Sequence, residues 1–210
     1  RLPSRIDAIY FGFDNYGSVH YLTRRLVNSN FRDILLICGP GKVFTDTEAS
    51  TAFQEVLEEN GIDTADRVLT SDATKEGAFK VSLQSWINNP PQAILSTSQA
   101  ICQGVIEACK ISGLRIPEDI CLLSLGVDNW NTSSFYPNII RTSRPAYMLA
   151  MQGCQALINL IEGSEEPENR FHLFRDSILD YPLRLPMPRN LNLEKADLSI
   201  GTLNIACTEL

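Results

Sequence analysis

Short, nearly continuous apolar runs alternate along this chain with stretches whose apolar residues recur at three- and four-residue spacing. The runs 8–13, Ile34 to Cys38, Arg67 to Leu69, Ala93 to Ser96, Ile120 to Leu125, Ile139 to Thr142 and 171–179 read as strands. Between them, Val19, Leu22 and Leu26, then Ala49, Phe53, Val56 and Leu57, then Phe79, Leu83 and Ile87, then Ile101, Val105 and Ala108 each mark one face of a helix laid on a sheet. Strands that alternate with helices predict a βαβ series, hence an α/β fold with a mostly parallel sheet flanked by helices.

Punctuation supports these boundaries. Thr45 with Glu48 has the spacing of a capping box, Gly61 and Gly113 fall where helices end in the left-handed conformation, and Pro90 and Pro91 stop the third helix. A further helix, Tyr147 to Glu162, carries Leu149, Leu157, Ile158 and Ile161 and needs an apolar surface beyond the sheet. There is no internal repeat, and residues 186–210 lose periodicity and read as an extension.

Composition narrows the function classes. The 210 residues are 44% hydrophobic and 20% charged, ordinary for a globular protein, and the net charge of -7 opposes an extended nucleic-acid surface on this chain itself. No apolar stretch approaches the length that spans a bilayer, so no membrane contact is expected. Six cysteines lie mostly in apolar runs, without CxxC pairs or neighbouring histidines, and His20 and His172 are far apart. Neither a metal site nor a cofactor is expected, and the cysteines read as buried thiols of a reduced, cytoplasmic protein. Nucleophile elbow, zinc-protease, dinucleotide and complete phosphate-loop motifs are all missing, so no catalytic residue is assigned and the chain does not read as an enzyme.

Candidate chemistry collects where parallel strands end. The strand Ile120 to Leu125 stops at Gly126 and is followed by Asp128 and Asn129, and in an open α/β sheet ligands bind outside such carboxyl ends. Ser71 to Thr74 and Thr97 to Gln99 emerge on the same edge, which makes Asp72, Thr74, Ser98 and Gln99 secondary polar contacts for a small molecule. The other reading is that Asp128 caps a turn and that Asp72 and Ser98 serve as loop and cap residues.

The motifs FDNYGS (Phe13 to Ser18), an apolar strand ending in Gly39 and Pro40, PQAIL (Pro91 to Leu95), GLRIPEDI (Gly113 to Ile120), GVDN (Gly126 to Asn129) and a return bearing Pro137, Arg144 and Pro145 stand in one order across residues 7–162. In that order the chain resembles the LacI/GalR family of bacterial transcription regulators. The resemblance implies a two-lobed, periplasmic-binding-protein-like region, of which this chain is mainly the C-terminal lobe. Residues 1–13 would be the last strand of an otherwise missing N-terminal lobe, and 16–138 the C-terminal lobe of the effector-binding region. Residues 146–162 would form a helix returning toward the N-terminal lobe, and 170–185 a final strand region. It further implies a homodimer that senses a small-molecule effector and reaches operator DNA through a missing N-terminal domain.

The pocket departs from the family pattern. The arginine that usually clamps the ligand falls on Ala49, an aromatic falls near Ala73, and the usual Asn-Asp pair has become Ser98 and Gln99, while Asp128 keeps its type. Charge-assisted contacts worth roughly 1.5–3 kcal/mol each are lost with the arginine, so a typical sugar should bind poorly, and Trp130 offers a substitute stacking face or packs under the crossover. Two alternatives remain: a solute-binding protein of an uptake system, and a regulator answering to a protein partner.

Overall fold

The computed structural model describes residues 9–41, 44–86, 89–126, 139–144, 146–163, 171–174 and 176–178. In chain order the elements are β1 (Tyr10–Phe13), α1 (Asn15–Asn28), β2 (Ile34–Cys38), α2 (Phe44–Glu59), β3 (Val68–Thr70), α3 (Lys75–Trp86), β4 (Ala93–Ser96), α4 (Gln99–Ile111), β5 (Cys121–Leu125), β6 (Ile140–Ser143), α5 (Ala146–Glu162), β7 (Phe171–Phe174) and β8 (Ser177–Ile178). Six of the strands form one sheet in the order β3-β2-β4-β5-β6-β8, and β1 pairs with β7 in a separate two-stranded sheet. All pairings are parallel except β6 with β8.

Every residue of β2, β4 and β5 is buried, which is why these runs are nearly continuously apolar instead of alternating, with only the small Ser96 and Ser124 as exceptions. Their side chains still divide by period two. Ile34, Leu36, Leu95 and Leu123 pack with Leu22, Leu26, Phe53 and Val56 of α1 and α2, whereas Leu35, Ile37, Ile94 and Leu122 pack with Ala78, Trp86, Ile101 and Val105 of α3 and α4. The predicted three-layer α/β architecture therefore follows from two helix pairs that each cover one face of the central sheet.

Several local expectations hold and others shift. Gly61 and Gly113 adopt φ of +65 and +68 after α2 and α4. The third helix ends at Trp86, but its buried residues are Ala78, Ser82 and Trp86, with Phe79 and Leu83 only partly buried, so its inward face is one position off the predicted one. The capping box is not realised. Helix α2 already begins at Phe44, which puts Thr45 inside the first turn, and Glu48 lies part-buried beside Asn15, where desolvation pushes its carboxyl up. The run 171–179 is two short strands in two different sheets, because the chain crosses between sheets after Phe174.

The position directly after β5 takes glycine for a steric reason: a Cβ on Gly126 would lie 2.6 Å from the carbonyl oxygen of Thr142 on β6. Helix α5 has no buried residue, and Leu157 and Ile161 are 58% and 76% exposed.

The burial expected of the thiols holds at four of the five described cysteines, and Cys207 lies outside the described residues. Cys38, Cys102, Cys109 and Cys121 are buried and unpaired, Cys154 is exposed, and burial pushes Cys102, Cys109 and Cys121 up to about 12. These thiols stay neutral and unreactive in the fold. Among the described cysteines, alkylation of the native protein at pH 8 is expected to label Cys154 and to reach the four buried thiols only on unfolding; early labelling of Cys102 by mass spectrometry would contradict this packing. Because their folded values lie above the ordinary 9.0, they contribute stability that is complete below that value and is lost as pH rises through about 12.

Candidate functional site

Strand β2 is flanked by β3 on one side and β4 on the other, so the connections on its two sides run in opposite senses and open a crevice at the carboxyl ends. A cleft of about 360 Å³ lies there. Gly39 beyond β2, Thr97 and Ser98 beyond β4, and Leu125 of β5 form one wall. Across from them, Tyr10, Phe11 and Phe13 of β1 with Leu149 of α5 form the other, so the cleft lies between the two sheets.

The polar groups of the cleft are anchored by short-range chemistry. Ser98 is the N-cap of α4 and accepts from the amide of Ile101 at 3.3 Å, which directs its hydroxyl to the helix while its residue lines the cleft. The carboxylate of Asp46 accepts from the amide of Gly39 at 3.2 Å, tying the loop after β2 to the start of α2. Ala49 and Ala73 both line the cleft, so the two positions where the family resemblance implies an arginine and an aromatic contribute only methyl groups. Ala73 is held at a φ of 64, a left-handed conformation that side-chain-bearing residues seldom adopt.

Of the sequence candidates, Ser98 is brought to the cleft. Gln99 is the first residue of α4 and half-buried, but does not line the cleft. Asp72 and Thr74 are exposed and occupied with each other: Thr74 donates to Asp72 through its amide at 3.0 Å and its hydroxyl at 2.6 Å, and its own Oγ1 accepts from Gly77 at 3.0 Å. The hydroxyl bond from Thr74 holds the Asp72 carboxyl below its ordinary value. Of the two readings of these residues, the distances match the cap of α3. Thr74→Ala is therefore expected to cost about 1 kcal/mol in urea unfolding, a typical cap loss, and to leave ligand affinity unchanged. Asp128, Asn129 and Trp130 lie outside the described residues.

Arg144 is the residue that strand-end reasoning missed. It follows β6, lines the cleft and is only 15% exposed. Its Nε donates to Asp176 Oδ2 at 3.0 Å, an Nη donates to Asn15 Oδ1 at 2.7 Å, and its guanidinium lies 5.2 Å from the Phe13 ring centroid. Asp176 also accepts from the Thr142 hydroxyl at 2.7 Å, and the Asp14 amide donates to the Phe174 carbonyl at 2.9 Å. The chain segments at Asn15, Arg144 and Asp176, near the passages between the sheets, are thus joined around one guanidinium. A positive charge bearing two side-chain partners at the floor of a cleft was signalled in sequence only by the Arg-Pro pair before α5.

Residues 23–175 match the family described as the periplasmic binding protein-like domain. The repressor PurR of Glaesserella parasuis is 26% identical over 148 residues, 69% of this chain and 43% of that protein. The regulator MalR of Clostridium butyricum is 27% identical over 179 residues, 80% of this chain and 50% of its own length. The chain thus spans about half the length of the curated relatives it matches. Among solved structures, the transcription regulator CcpA of Lactococcus lactis superposes with a TM-score of 0.72 at 21% identity, covering 80% of this chain and 62% of that one. The lac repressor dimer, bound to operator and an anti-inducer, is 20% identical and covers 80% of this chain and 58% of that chain. These relatives are transcription regulators, which supports the regulator reading and not the solute-uptake alternative.

Proposed function

Since the chain belongs to the periplasmic binding protein-like domain family, of the kind carried by LacI-type regulators, we propose that it is the effector-sensing region of a DNA-binding transcription regulator. The observation that carries this reading is the cleft between the two sheets, bounded by strand carboxyl ends on one side and by β1 and α5 on the other. In this reading β1, β7 and α5 belong to the first lobe and the six-stranded sheet to the second. A ligand that touches both walls favours one arrangement of the lobes over another, and only such differential affinity can alter the spacing of two DNA-binding heads in a cytoplasmic homodimer.

The wall chemistry narrows the effector. Arg144 is already matched by Asp176, so it offers hydrogen-bond donors without a free positive charge. Tyr10, Phe11, Phe13, Leu125 and Leu149 supply apolar and aromatic surface, while Ser98, Thr97 and Thr45 supply hydroxyls. A compact ligand with a planar or apolar face and a few hydrogen-bonding groups suits these walls better than a hydroxyl-rich sugar, whose polar rim would lose water against them. Asp128 and Asn129 would accept from and donate to that rim, with Trp130 as a further contact.

The test is calorimetry against sugars, nucleosides and small organic acids. A saturable heat from a nucleoside-like or aromatic compound is expected, weakened about tenfold or more by Asp128→Ala, the value of one charge-assisted hydrogen bond. Unchanged affinity in Asp128→Ala removes that residue from the site. A screen in which no small molecule gives a heat or a thermal shift favours a regulator that answers to a protein partner.

A further inference from the structure

Helix α5 is apolar on two nearly opposite faces, and among the described residues only one of them is covered. Leu149, Gly153 and Ala156 are half-buried and form the face turned to the two-stranded sheet: Leu149 lines the cleft beside Phe11, and a Cβ on Gly153 would stand 3.8 Å from the Phe11 ring. Tyr147, Met151, Cys154, Ile158 and Ile161 follow one another at alternating steps of four and three residues, and this stripe lies about 150° around the helix from the first. A four-three spacing sustained over two heptads is the seam along which one helix packs on another.

The seam and its flanks are exposed. Tyr147, Met148, Met151, Leu157, Ile158 and Ile161 are between 44% and 76% exposed. At about 200 Å² for a large side chain, their accessible surface comes to about 700 Å². That is more than the largest apolar patch of a typical monomer, about 300–600 Å², and close to the ~800 Å² that each partner gives to a standard interface. Further strands beside β1 or helices beside α5 would not cover it, because the elements of one lobe lie in stacked layers and this face turns away from the sheet on which α5 rests. A helix that is apolar all round is a buried helix, so the occupant comes from outside the lobe.

We propose that this face pairs with the same face of a second copy of the chain, as an antiparallel helix pair about a two-fold axis. Charge favours a second copy. Residues 146–161 carry no charged side chain, whereas the chain as a whole has a net charge of -7. Two like-charged copies meet at least cost across such a strip, and the strip offers no charge by which an acidic or basic partner would be selected. Self-complementarity is the second reason: α5 spans Ala146–Glu162, so a two-fold axis at its midpoint falls at Cys154 and sets Tyr147 opposite Ile161, and Met151 opposite Leu157, of the other copy. This gives the proposed homodimer a surface and rests on no property of the effector cleft.

Sedimentation velocity on the full chain over a concentration series reads the pairing, with the rate of Cys154 alkylation as an independent probe. A monomer–dimer equilibrium is expected, with a dissociation constant in the micromolar range or tighter. Ile161→Lys and Met151→Lys each place a charge in the seam at little cost in helix propensity. Each should weaken the dimer at least about tenfold, while the far-ultraviolet circular dichroism stays that of wild type. Since an added lysine lowers the net negative charge, general repulsion cannot account for that weakening. Cys154 should react freely in dilute solution and more slowly as the concentration rises through the dimer range. A chain that stays monomeric throughout overturns the assignment together with the homodimer. A dimer indifferent to both lysines, or a Cys154 rate that does not change with concentration, overturns this surface and leaves the homodimer standing. Neither result touches the calorimetry of the cleft, which is read by different residues and different probes.

Discussion

Arg144→Ala is expected to cost about 3–5 kcal/mol of folding stability, the range for breaking a buried ion pair from one side. The magnitude comes from what is left behind. Asp176 is 1% exposed and would lose the guanidinium that balances it, while Asn15 Oδ1 would lose its 2.7 Å donor and Phe13 its overlying cation. Urea unfolding followed by circular dichroism measures this directly. A double-mutant cycle with Asp176→Asn separates pairing from packing: removal of both charges should cost clearly less than the two single losses added together, since the stranded charge disappears. A loss below about 1 kcal/mol in Arg144→Ala would mean that the pair is solvated and that the three crossing segments are held by something else. Because Arg144 also lines the cleft, the same variant should weaken binding of the proposed effector beyond what Ser98→Ala does.

The second large effect is expected at Gly104, on α4. A Cβ at this position would meet the carbonyl oxygen of Lys75 most closely and would lie 2.8 Å from both the Ala78 Cβ and the Phe79 amide nitrogen. Two of those three contacts are backbone of α3, which cannot swing aside as a side-chain tip can. Gly104→Val must therefore drive α3 and α4 apart, and overpacking of this kind costs up to about 3 kcal/mol or somewhat more. The separation also opens the cluster of Ala78, Trp86, Ile101 and Val105 beneath the sheet. Thermal and urea unfolding read the loss; a variant as stable as wild type would show that the two helices are free to separate at no cost.

Much of the fold is legible because burial writes itself into composition. Strands Ile34–Cys38 and Ala93–Ser96 lie at the residues where the apolar runs predict them, since a strand covered on both faces is apolar except where a small polar side chain finds a partner, as the Ser96 hydroxyl does by donating to the Leu123 carbonyl at 3.2 Å. Helix α4 is equally plain: Ile101, Val105 and Ala108 are all buried on one face. The misread places have physical reasons. The run 171–179 looks like one strand because local pattern records burial and not which sheet provides it, and the crossing after Phe174 has no residue signal of its own. Thr45 and Glu48 have the spacing of a capping box, which would start the helix at Asp46, but α2 starts at Phe44, and Asp46 within its first turn accepts from the Gly39 amide.

The candidate site divides along the same line. Ser98 at a strand end was readable, as was the direction of the cleft, because parallel connections bring all carboxyl ends to one edge. Asp72 and Thr74 could not be told apart from ligand contacts until the 2.6 Å bond between them was known. What the amino-acid order determined alone is the α/β framework, the burial of Cys38, Cys102, Cys109 and Cys121, and the edge at which the strands' carboxyl ends emerge, each of which follows from contacts between near neighbours or from simple burial. What only the tertiary structure decided is the hinge: Arg144 meets Asn15 across 129 residues and Asp176 across 32, and so their pairing depends on how the chain closes in space, a distance that no local spacing of charges encodes.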